Sequence, residues 1–140
     1  MIPLSEFISD NIILVIAFAV VTIMIIRMEL FRRFSKVTTV GAQGATKLIN
    51  DGAIVVDVRE PKEYKDGHLR DAIHIPLGSL ASQLTQLEQH KDKDIVVYCR
   101  SGNRSSHACR VLEKNGYEKL YNLGGGIGAW MGANLPVTKK

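Results

Sequence analysis

One short segment of the sequence combines a cysteine with cationic and conformationally permissive residues. The segment runs, in order, Cys99, Arg100, Ser101, Gly102, Asn103, Arg104 and Ser105. Gly102 lets the chain curl tightly, and Asn103 tolerates backbone dihedral angles that most residues avoid. In such a loop several successive backbone N–H groups are expected to point inward and form an anion-binding nest. We therefore expect this segment to hold a negatively charged sulfur or a small anion.

The position of Cys99 between a strand and a helix favours a reactive thiol. Cys99 follows the apolar run Ile95–Tyr98, and a helix is predicted over residues 105–115. The N-terminus of that helix adds partial positive charge, as do the side chains of Arg100 and Arg104. These features favour a thiolate, and after sulfur transfer a persulfide anion, because the ionised sulfur is the nucleophile. The alternative is that Cys99 is a small buried hydrophobic residue, but its polar and cationic surroundings favour reactivity.

From residue 37 onward the sequence alternates between strand-like and helix-like segments. Short apolar runs over Ile54–Asp57 and Ile95–Tyr98 are typical of buried parallel strands. Weaker strands are predicted over residues 37–40, 72–75 and 119–122, and helices over residues 42–50, 77–89 and 105–115. Alternation of this kind predicts an α/β fold in which helices cover both faces of a parallel sheet.

Polar residues at the end of one predicted strand are candidates for a supporting role. Active sites of parallel sheets lie at the carboxyl ends of strands, where Asp57 and Cys99 both fall. Asp57 and Arg59 are therefore expected to orient the loop or to pair with its arginines, and Ser105 is placed in the same supporting group. For Asp57 and Arg59, an ordinary salt bridge at the strand end is the alternative.

Other residues with reactive side chains are predicted to be structural. Cys109 lies on an apolar helical face, so it is expected in the core rather than as a resolving thiol for Cys99. His68 is expected to be a hydrogen-bonded structural residue, and His74 has no evident partner. The four histidines do not cluster, so neither a metal nor another cofactor is predicted. Residues 37–140 hold 14 Lys and Arg against 11 Asp and Glu, an excess too diffuse to indicate nucleic-acid binding.

Four motifs, in this order, resemble those of rhodanese-homology domains. They are residues 55–59 (Val-Val-Asp-Val-Arg), residues 64–73 (Tyr-Lys-Asp-Gly-His-Leu-Arg-Asp-Ala-Ile), the loop at residues 99–105 and residues 122–130 (Asn-Leu-Gly-Gly-Gly-Ile-Gly-Ala-Trp). The sequence departs from the family at Asp71 and Asn134, where glycine is common. Both residue types accept left-handed backbone geometry, so the fold is expected to be kept. The resemblance covers most of residues 37–140.

The resemblance implies a sulfurtransferase that works through a cysteine persulfide. Cys99 would be the nucleophile and sulfur carrier, taking a sulfane sulfur from thiosulfate or a persulfide donor and passing it to a thiol or cyanide. The backbone of Arg100, Ser101, Gly102, Asn103 and Arg104 would cradle the anion. The side chains of the two arginines would help to bind it.

Two other functions use the same features. A cysteine phosphatase or arsenate reductase also places a thiolate in an anion cradle, but cysteine phosphatases carry five residues between Cys and Arg. Only four separate Cys99 from Arg104, a tighter loop that suits a sulfur atom better. The second alternative is a membrane-docked interaction module that recruits a membrane-protein partner and has little catalysis. The cysteine retained in the loop favours activity over this alternative.

The first 36 residues differ in composition from the rest. Residues 11–26 hold no charged side chain and are mostly Ile, Val and Ala. As a helix they would span about 24 Å, slightly less than the hydrocarbon core of a bilayer, and flanking apolar residues extend the span. A cleavable signal peptide is disfavoured because Glu6 and Asp10, rather than positive residues, precede the run. A buried core helix is the other alternative.

The charge distribution around this span predicts its orientation. Arg27, Arg32, Arg33 and Lys36 follow the span, and no Lys or Arg precedes it. The positive-inside rule then places the following domain in the cytoplasm. We expect residues 1–36 to be a transmembrane anchor with a basic juxtamembrane segment, and residues 37–140 to be the rhodanese-like domain. This arrangement resembles that of single-pass proteins of the bacterial inner membrane.

Overall fold

The computed structural model describes every residue from 1 to 140. The chain divides into two compact units, Met1–Ser35 and Lys36–Lys140.

The first unit consists of two helices joined at Asn11. Helix α1 spans Leu4–Asp10 and helix α2 spans Ile12–Phe34. The Asn11 side chain donates a hydrogen bond to the carbonyl oxygen of Phe7 at 2.9 Å, which satisfies an acceptor at the end of α1. By length and composition α2 is apolar enough to cross a membrane, and none of its residues is buried.

The second unit is built on a five-stranded parallel sheet. Its strands are β1 (Val37–Val40), β2 (Ile54–Asp57), β3 (Ile73–His74), β4 (Ile95–Tyr98) and β5 (Leu120–Leu123). Their order across the sheet is β1-β5-β4-β2-β3. The central strand β4 is buried along its whole length, as its uninterrupted Ile-Val-Val-Tyr run predicts. The predicted parallel α/β fold is confirmed.

Four helices accompany the sheet. They are α3 (Ala42–Asn50), α4 (Pro61–Asp66), α5 (Asn103–Lys114) and α6 (Gly126–Gly132). Helix α4 was not expected from hydrophobic periodicity, since none of its residues is buried. Its start is nevertheless encoded locally, because Pro61 occupies the first turn and Glu60 and Glu63 form a capping box.

The prediction of one helix over residues 77–89 was wrong. Three short 3-10 turns occupy this region, at Leu77–Ser82, Leu84–Gln86 and Glu88–His90. Leu80 and Leu87 are fully buried, so the apolar spacing that suggested a helix does mark the inward face. That spacing of three to four residues fits successive 3-10 turns as well as an α-helix, and periodicity alone does not separate them.

Side chains alternate between two cores on opposite faces of the sheet. Val97 and Cys99 belong to a core that α5 and the 3-10 turns cover, whereas Val96 and Tyr98 belong to the core that contains Trp130. This alternation follows from the two-residue period of a strand. Cys109 is fully buried in the first core, and burial raises the pKa of its thiol to about 12. The structural role predicted for Cys109 is confirmed.

A buried polar cluster connects β2 to the residue before Cys99. Asp57 and Tyr98 are fully buried register partners on neighbouring strands, and the Tyr98 hydroxyl donates to Asp57 Oδ2 at 2.6 Å. The Arg59 guanidinium donates to both Asp57 oxygens and, at 2.6 Å, to the Gly67 carbonyl. The Tyr98 oxygen also accepts the Leu69 N–H at 3.0 Å. The charges are therefore paired inside the protein, as buried charges must be.

Two histidines stack on either side of Tyr64. The ring centroids of Tyr64 and His68 lie 3.7 Å apart, and those of Tyr64 and His74 lie 4.3 Å apart. His68 is buried and hydrogen-bonded to backbone oxygens, as predicted. The expectation that His74 lacks a partner was wrong, because its Nε2 lies 2.8 Å from the Arg59 carbonyl oxygen.

The two departures from the family pattern keep the backbone that glycine would adopt. Asp71 and Asn134 both have a φ of 60°, the left-handed geometry that was expected of them.

We predict that Tyr98→Phe destabilises the second unit by about 1–3 kcal/mol, because Asp57 loses a buried donor and the Leu69 N–H loses its acceptor. Urea unfolding followed by the fluorescence of Trp130, the only tryptophan, measures the change. Tyr121→Phe is the matched control, since the Tyr121 hydroxyl makes no hydrogen bond. Equal stability of the two variants would contradict the structural role of the Tyr98 hydroxyl.

Candidate active site

The loop after β4 curls around the sulfur of Cys99. Gly102 has a φ of 107°, the left-handed geometry that glycine tolerates best, and it is the N-cap residue that precedes α5. This turn brings the Gly102 N–H to 3.0 Å from Cys99 Sγ. Cys99 itself is 1% exposed. Any molecule that reacts with the sulfur must therefore enter the loop to reach it.

Hydrogen bonds around the buried sulfur favour its ionised form. Burial raises the pKa of the Cys99 thiol, but hydrogen bonds from the Ser105 hydroxyl and from the backbone N–H groups of Ser105, Gly102 and Ser101 outweigh burial. The pKa of Cys99 is consequently lowered from its ordinary value. Hydrogen bonds to an anion stabilise it because they replace the water that burial removes. The loop therefore holds a sulfur that ionises more readily than a free cysteine.

Asn122 fixes the geometry of this loop from the neighbouring strand β5. Its Nδ2 donates to the Gly102 carbonyl at 3.2 Å, and its Oδ1 lies 2.5 Å from the Ser105 hydroxyl oxygen. The same hydroxyl lies 3.5 Å from Cys99 Sγ. A hydroxyl has one proton to donate, so Asn122, the sulfur and the Gly102 carbonyl oxygen at 3.1 Å compete for it. A charged acceptor makes the stronger hydrogen bond, so ionisation of Cys99 favours donation to the sulfur.

Arg104 is paired with a carboxylate of α4. Its guanidinium makes a bidentate contact with Glu63, with N–O distances of 2.7 and 2.9 Å. This pairing lowers the pKa of Glu63 to about 2 and raises the pKa of Arg104. The attraction of the Cys99 thiolate also contributes to the raised pKa of Arg104. Arg104 therefore faces the sulfur as one half of an ion pair rather than as an isolated cation.

Arg100 is the loop arginine with an unpaired side chain. The residue is exposed, and its guanidinium forms neither an ion pair nor a hydrogen bond. Its backbone is held in place from α6, because the Gly128 N–H donates to the Arg100 carbonyl at 3.3 Å. The Ile127 N–H donates to the Cys99 carbonyl at 2.9 Å in the same way. Helix α6 thus anchors the first two residues of the loop.

Gly126 permits this close approach of α6 to the loop. A Cβ atom on Gly126 would lie 2.4 Å from the Cys99 carbonyl oxygen and 2.5 Å from backbone atoms of Arg100. Its φ of 59° is also unfavourable for other residues. Any side chain at this position would displace the loop backbone.

A cavity opens beside the loop, and we call it the mouth cavity. Its volume is about 390 Å³. It is lined by Arg59, Glu63, Asp66, Arg100, Ile127, Gly128 and Met131. The size falls within the range of small-molecule sites in proteins.

Some of the residues predicted for the site contact the Cys99 sulfur, and others pair with each other away from the loop. Ser105 contacts the Cys99 sulfur directly, and the backbone N–H groups of Ser101 and Gly102 point toward it. Asp57 and Arg59 pair with each other rather than with the arginines of the loop, which is the strand-end salt bridge given as the alternative.

Three contributors to the loop were not assigned a role at the site from the sequence, although two of them lie within the motif at residues 122–130. They are Glu63, Asn122 and the start of α6 at residues 126–128. The capping box at Glu60 and Glu63 and the run of three glycines were signals of local structure. Neither signal indicates a contact with a loop that is distant along the chain.

Comparisons with known proteins bear on the identity of this fold and loop. A sulfurtransferase of Allochromatium vinosum is 39% identical over 88 residues, which cover 63% of this chain and 80% of that protein. The Escherichia coli protein YibN, whose name marks it as uncharacterized, is 30% identical over 138 residues, covering 97% of this chain and 96% of that protein. The crystal structure of a rhodanese-related protein from Thermoplasma volcanium superposes with a TM-score of 0.67 at 32% identity, covering 74% of this chain and 99% of that one.

The match to the family itself spans the sheet and the loop. The family profile of the rhodanese-like domain matches residues 42–133, from the start of α3 to just past the end of α6. With a parallel sheet of the same fold and Cys99 at the carboxyl end of its central strand, this chain belongs to the rhodanese-like domain family.

Proposed function

We propose that this protein is a sulfurtransferase in which Cys99 carries a sulfane sulfur as a persulfide. The observation that carries the proposal is the set of N–H and O–H donors that surround the buried Cys99 sulfur and lower its pKa. Membership of the rhodanese-like domain family and a relative named as a sulfurtransferase support the general activity.

The loading step needs only the thiolate and a sulfane donor. With thiosulfate, the Cys99 thiolate attacks the outer sulfur, a new S–S bond forms, and the old S–S bond breaks. The electron pair of the broken bond leaves with sulfite, so the charge before and after the step is the same. The lowered pKa of Cys99 increases the fraction of thiolate, and that fraction attacks without a general base. A persulfide donor would react in the same way and release a thiolate.

The donor anion is proposed to bind at the loop between residues 100 and 104. Backbone N–H groups of the loop supply hydrogen bonds, and the N-terminus of α5 adds partial positive charge. Arg100 supplies a positive charge that no carboxylate of the protein neutralises, because its side chain is unpaired. Arg104 contributes through its attraction to the sulfur, moderated by Glu63. Asp57 and Arg59 would support the loop through Tyr98, the residue that precedes Cys99.

Membrane attachment is proposed for residues 1–36, with residues 37–140 as the catalytic domain. Helix α2 supplies the apolar span, and its last turn carries Arg32 and Arg33. Positive residues on one side of the span favour a cytoplasmic location for the catalytic domain at a bacterial inner membrane. A reducing cytoplasm would also keep the Cys99 thiol free.

Incubating the purified full-length protein with thiosulfate should add the mass of one sulfur atom to the peptide that contains Cys99. The thiolate attacks the donor, so loading should increase as pH rises through the pKa of Cys99 and reach its plateau below the pH expected for an unperturbed thiol. Mass spectrometry of the intact protein and of its peptides measures the product.

Cys109→Ala is the matched control for this experiment, since Cys109 is buried and its raised pKa keeps it protonated. That variant should load normally, whereas Cys99→Ala should not load. Sulfur transfer that persists in Cys99→Ala would refute the proposed carrier.

Arg104→Gln should raise the pKa of Cys99 and slow its alkylation by iodoacetamide at neutral pH by about two- to fivefold. The substitution removes a favourable charge and leaves Glu63 uncompensated near the thiolate. The double variant Glu63→Gln/Arg104→Gln removes a nearly neutral pair, so it should recover most of the rate. The alkylation rate measured against pH reports both changes. A double variant as slow as Arg104→Gln would show that charge is not the cause.

Fusion reporters at the C-terminus test the orientation in a bacterial membrane. Green fluorescent protein should be fluorescent and alkaline phosphatase inactive, because the former folds in the cytoplasm and the latter requires the periplasm. A chain that lacks residues 1–35 is the control, and it should leave the membrane fraction while giving the same reporter signals. Active alkaline phosphatase on the full-length chain would reverse the proposed orientation.

A further inference from the structure

The charges that line the mouth cavity are not equivalent. Arg59 is neutralised by Asp57, and Glu63 is neutralised by Arg104. Asp66 and Arg100 are the charged lining residues whose side chains form no ion pair or hydrogen bond. The cavity therefore offers a ligand one free carboxylate and one free guanidinium.

Asp66 occupies a place where its charge does not stabilise the fold. It is the last residue of α4, where the partial negative charge of a helix C-terminus disfavours a carboxylate. It is also exposed and makes no compensating contact. A carboxylate that is unfavourable for the helix and has no compensating partner in the fold indicates a binding role.

The remaining wall of the cavity comes from α6. Ile127 and Met131 are apolar lining residues, and Met131 is 51% exposed. Gly128 lies beside the Arg100 carbonyl, so the wall adjoins the first residues of the loop that holds Cys99. An apolar wall that adjoins two opposite charges suits an α-amino acid, which carries an ammonium and a carboxylate on one carbon beside an apolar methylene group.

We infer that the mouth cavity binds the amino-acid end of a low-molecular-weight thiol, which is the sulfur acceptor. Asp66 binds the ammonium group and Arg100 binds the carboxylate, while the carbon chain lies against Ile127 and Met131. This inference deepens the proposed function and rests on it. The volume of about 390 Å³ is larger than cyanide or thiosulfate needs and accommodates such a thiol.

Arg100 then serves the two half-reactions in turn. It binds the donor anion while Cys99 is loaded, and it binds the carboxylate of the acceptor after the donor product has left. In the second step the acceptor thiolate attacks the outer sulfur of the Cys99 persulfide, forming a new S–S bond. The old S–S bond breaks, and its electron pair returns to Cys99 as the thiolate. Double use of one site is consistent with a two-step transfer through a covalent intermediate.

Four acceptor thiols separate the two charge contacts. They are L-cysteine, cysteamine, 3-mercaptopropionate and N-acetylcysteine amide, which carry both charges, the ammonium only, the carboxylate only and neither. The full-length protein is loaded with thiosulfate and freed of excess donor, and loss of the persulfide is then followed for each thiol. The rate ratio of unmodified protein to variant is compared for each thiol, because the ratio cancels the intrinsic reactivity of that thiol.

Asp66→Asn should lower the rate by about two- to fivefold for L-cysteine and cysteamine, and Arg100→Gln should do so for L-cysteine and 3-mercaptopropionate. The amide without charges should show ratios near one for both variants. Asp92→Asn, an exposed carboxylate outside the cavity, is the matched control and should give ratios near one throughout.

Each other outcome overturns a distinct statement. Ratios near one for all four thiols in both variants would overturn the inference and favour a protein cysteine as the acceptor. An equal loss with every thiol in Asp66→Asn would show a merely structural role for Asp66. Failure of thiosulfate to load Cys99 would instead overturn the proposed function.

Discussion

The stability of an anion on Cys99 Sγ is the constraint around which this domain is organised. The sulfur is withdrawn from water, which by itself favours the neutral thiol. Donors from the loop and from Ser105 reverse that preference. Those donors are effective only if the loop stays curled, and its curl depends on β4, α5, Asn122 and α6. The sheet and its helices therefore act first as a frame for one backbone turn.

Much of the charge around this turn is already neutralised. The Asp57 carboxylate is paired with Arg59, and Glu63 is paired with Arg104. The stabilisation of the anion consequently rests on the Ser105 hydroxyl and on oriented backbone N–H groups rather than on net charge, and dipoles that the fold holds in place need no reorganisation. Arg100 is the exception, and its free side chain is available to whatever enters the loop.

The sequence predicted the parts of this structure that depend on neighbouring residues. The strand before Cys99 and the buried position of Cys109 follow from local composition and spacing. The left-handed turns at Asp71 and Asn134 follow from the resemblance to the family, in which glycine is common at these positions. The pair of Glu63 and Arg104 joins residues 41 positions apart, and no local pattern indicates that contact. The contact of His74 with a backbone oxygen and the 3-10 turns after β3 likewise depend on packing in three dimensions.

The tight packing of Gly126 against the loop has a consequence for the direction of the peptide planes. In a trans peptide the carbonyl oxygen of one residue and the N–H of the next point in opposite directions. When Gly128 draws the Arg100 oxygen toward α6, the N–H of Ser101 is turned the other way, toward the sulfur. The absence of a side chain at position 126 thus determines which pole of that amide dipole the thiolate meets. A single methyl group there, although it would make no contact of its own with the sulfur's hydrogen-bond donors, would alter the acidity of the Cys99 thiol by rotating one peptide plane.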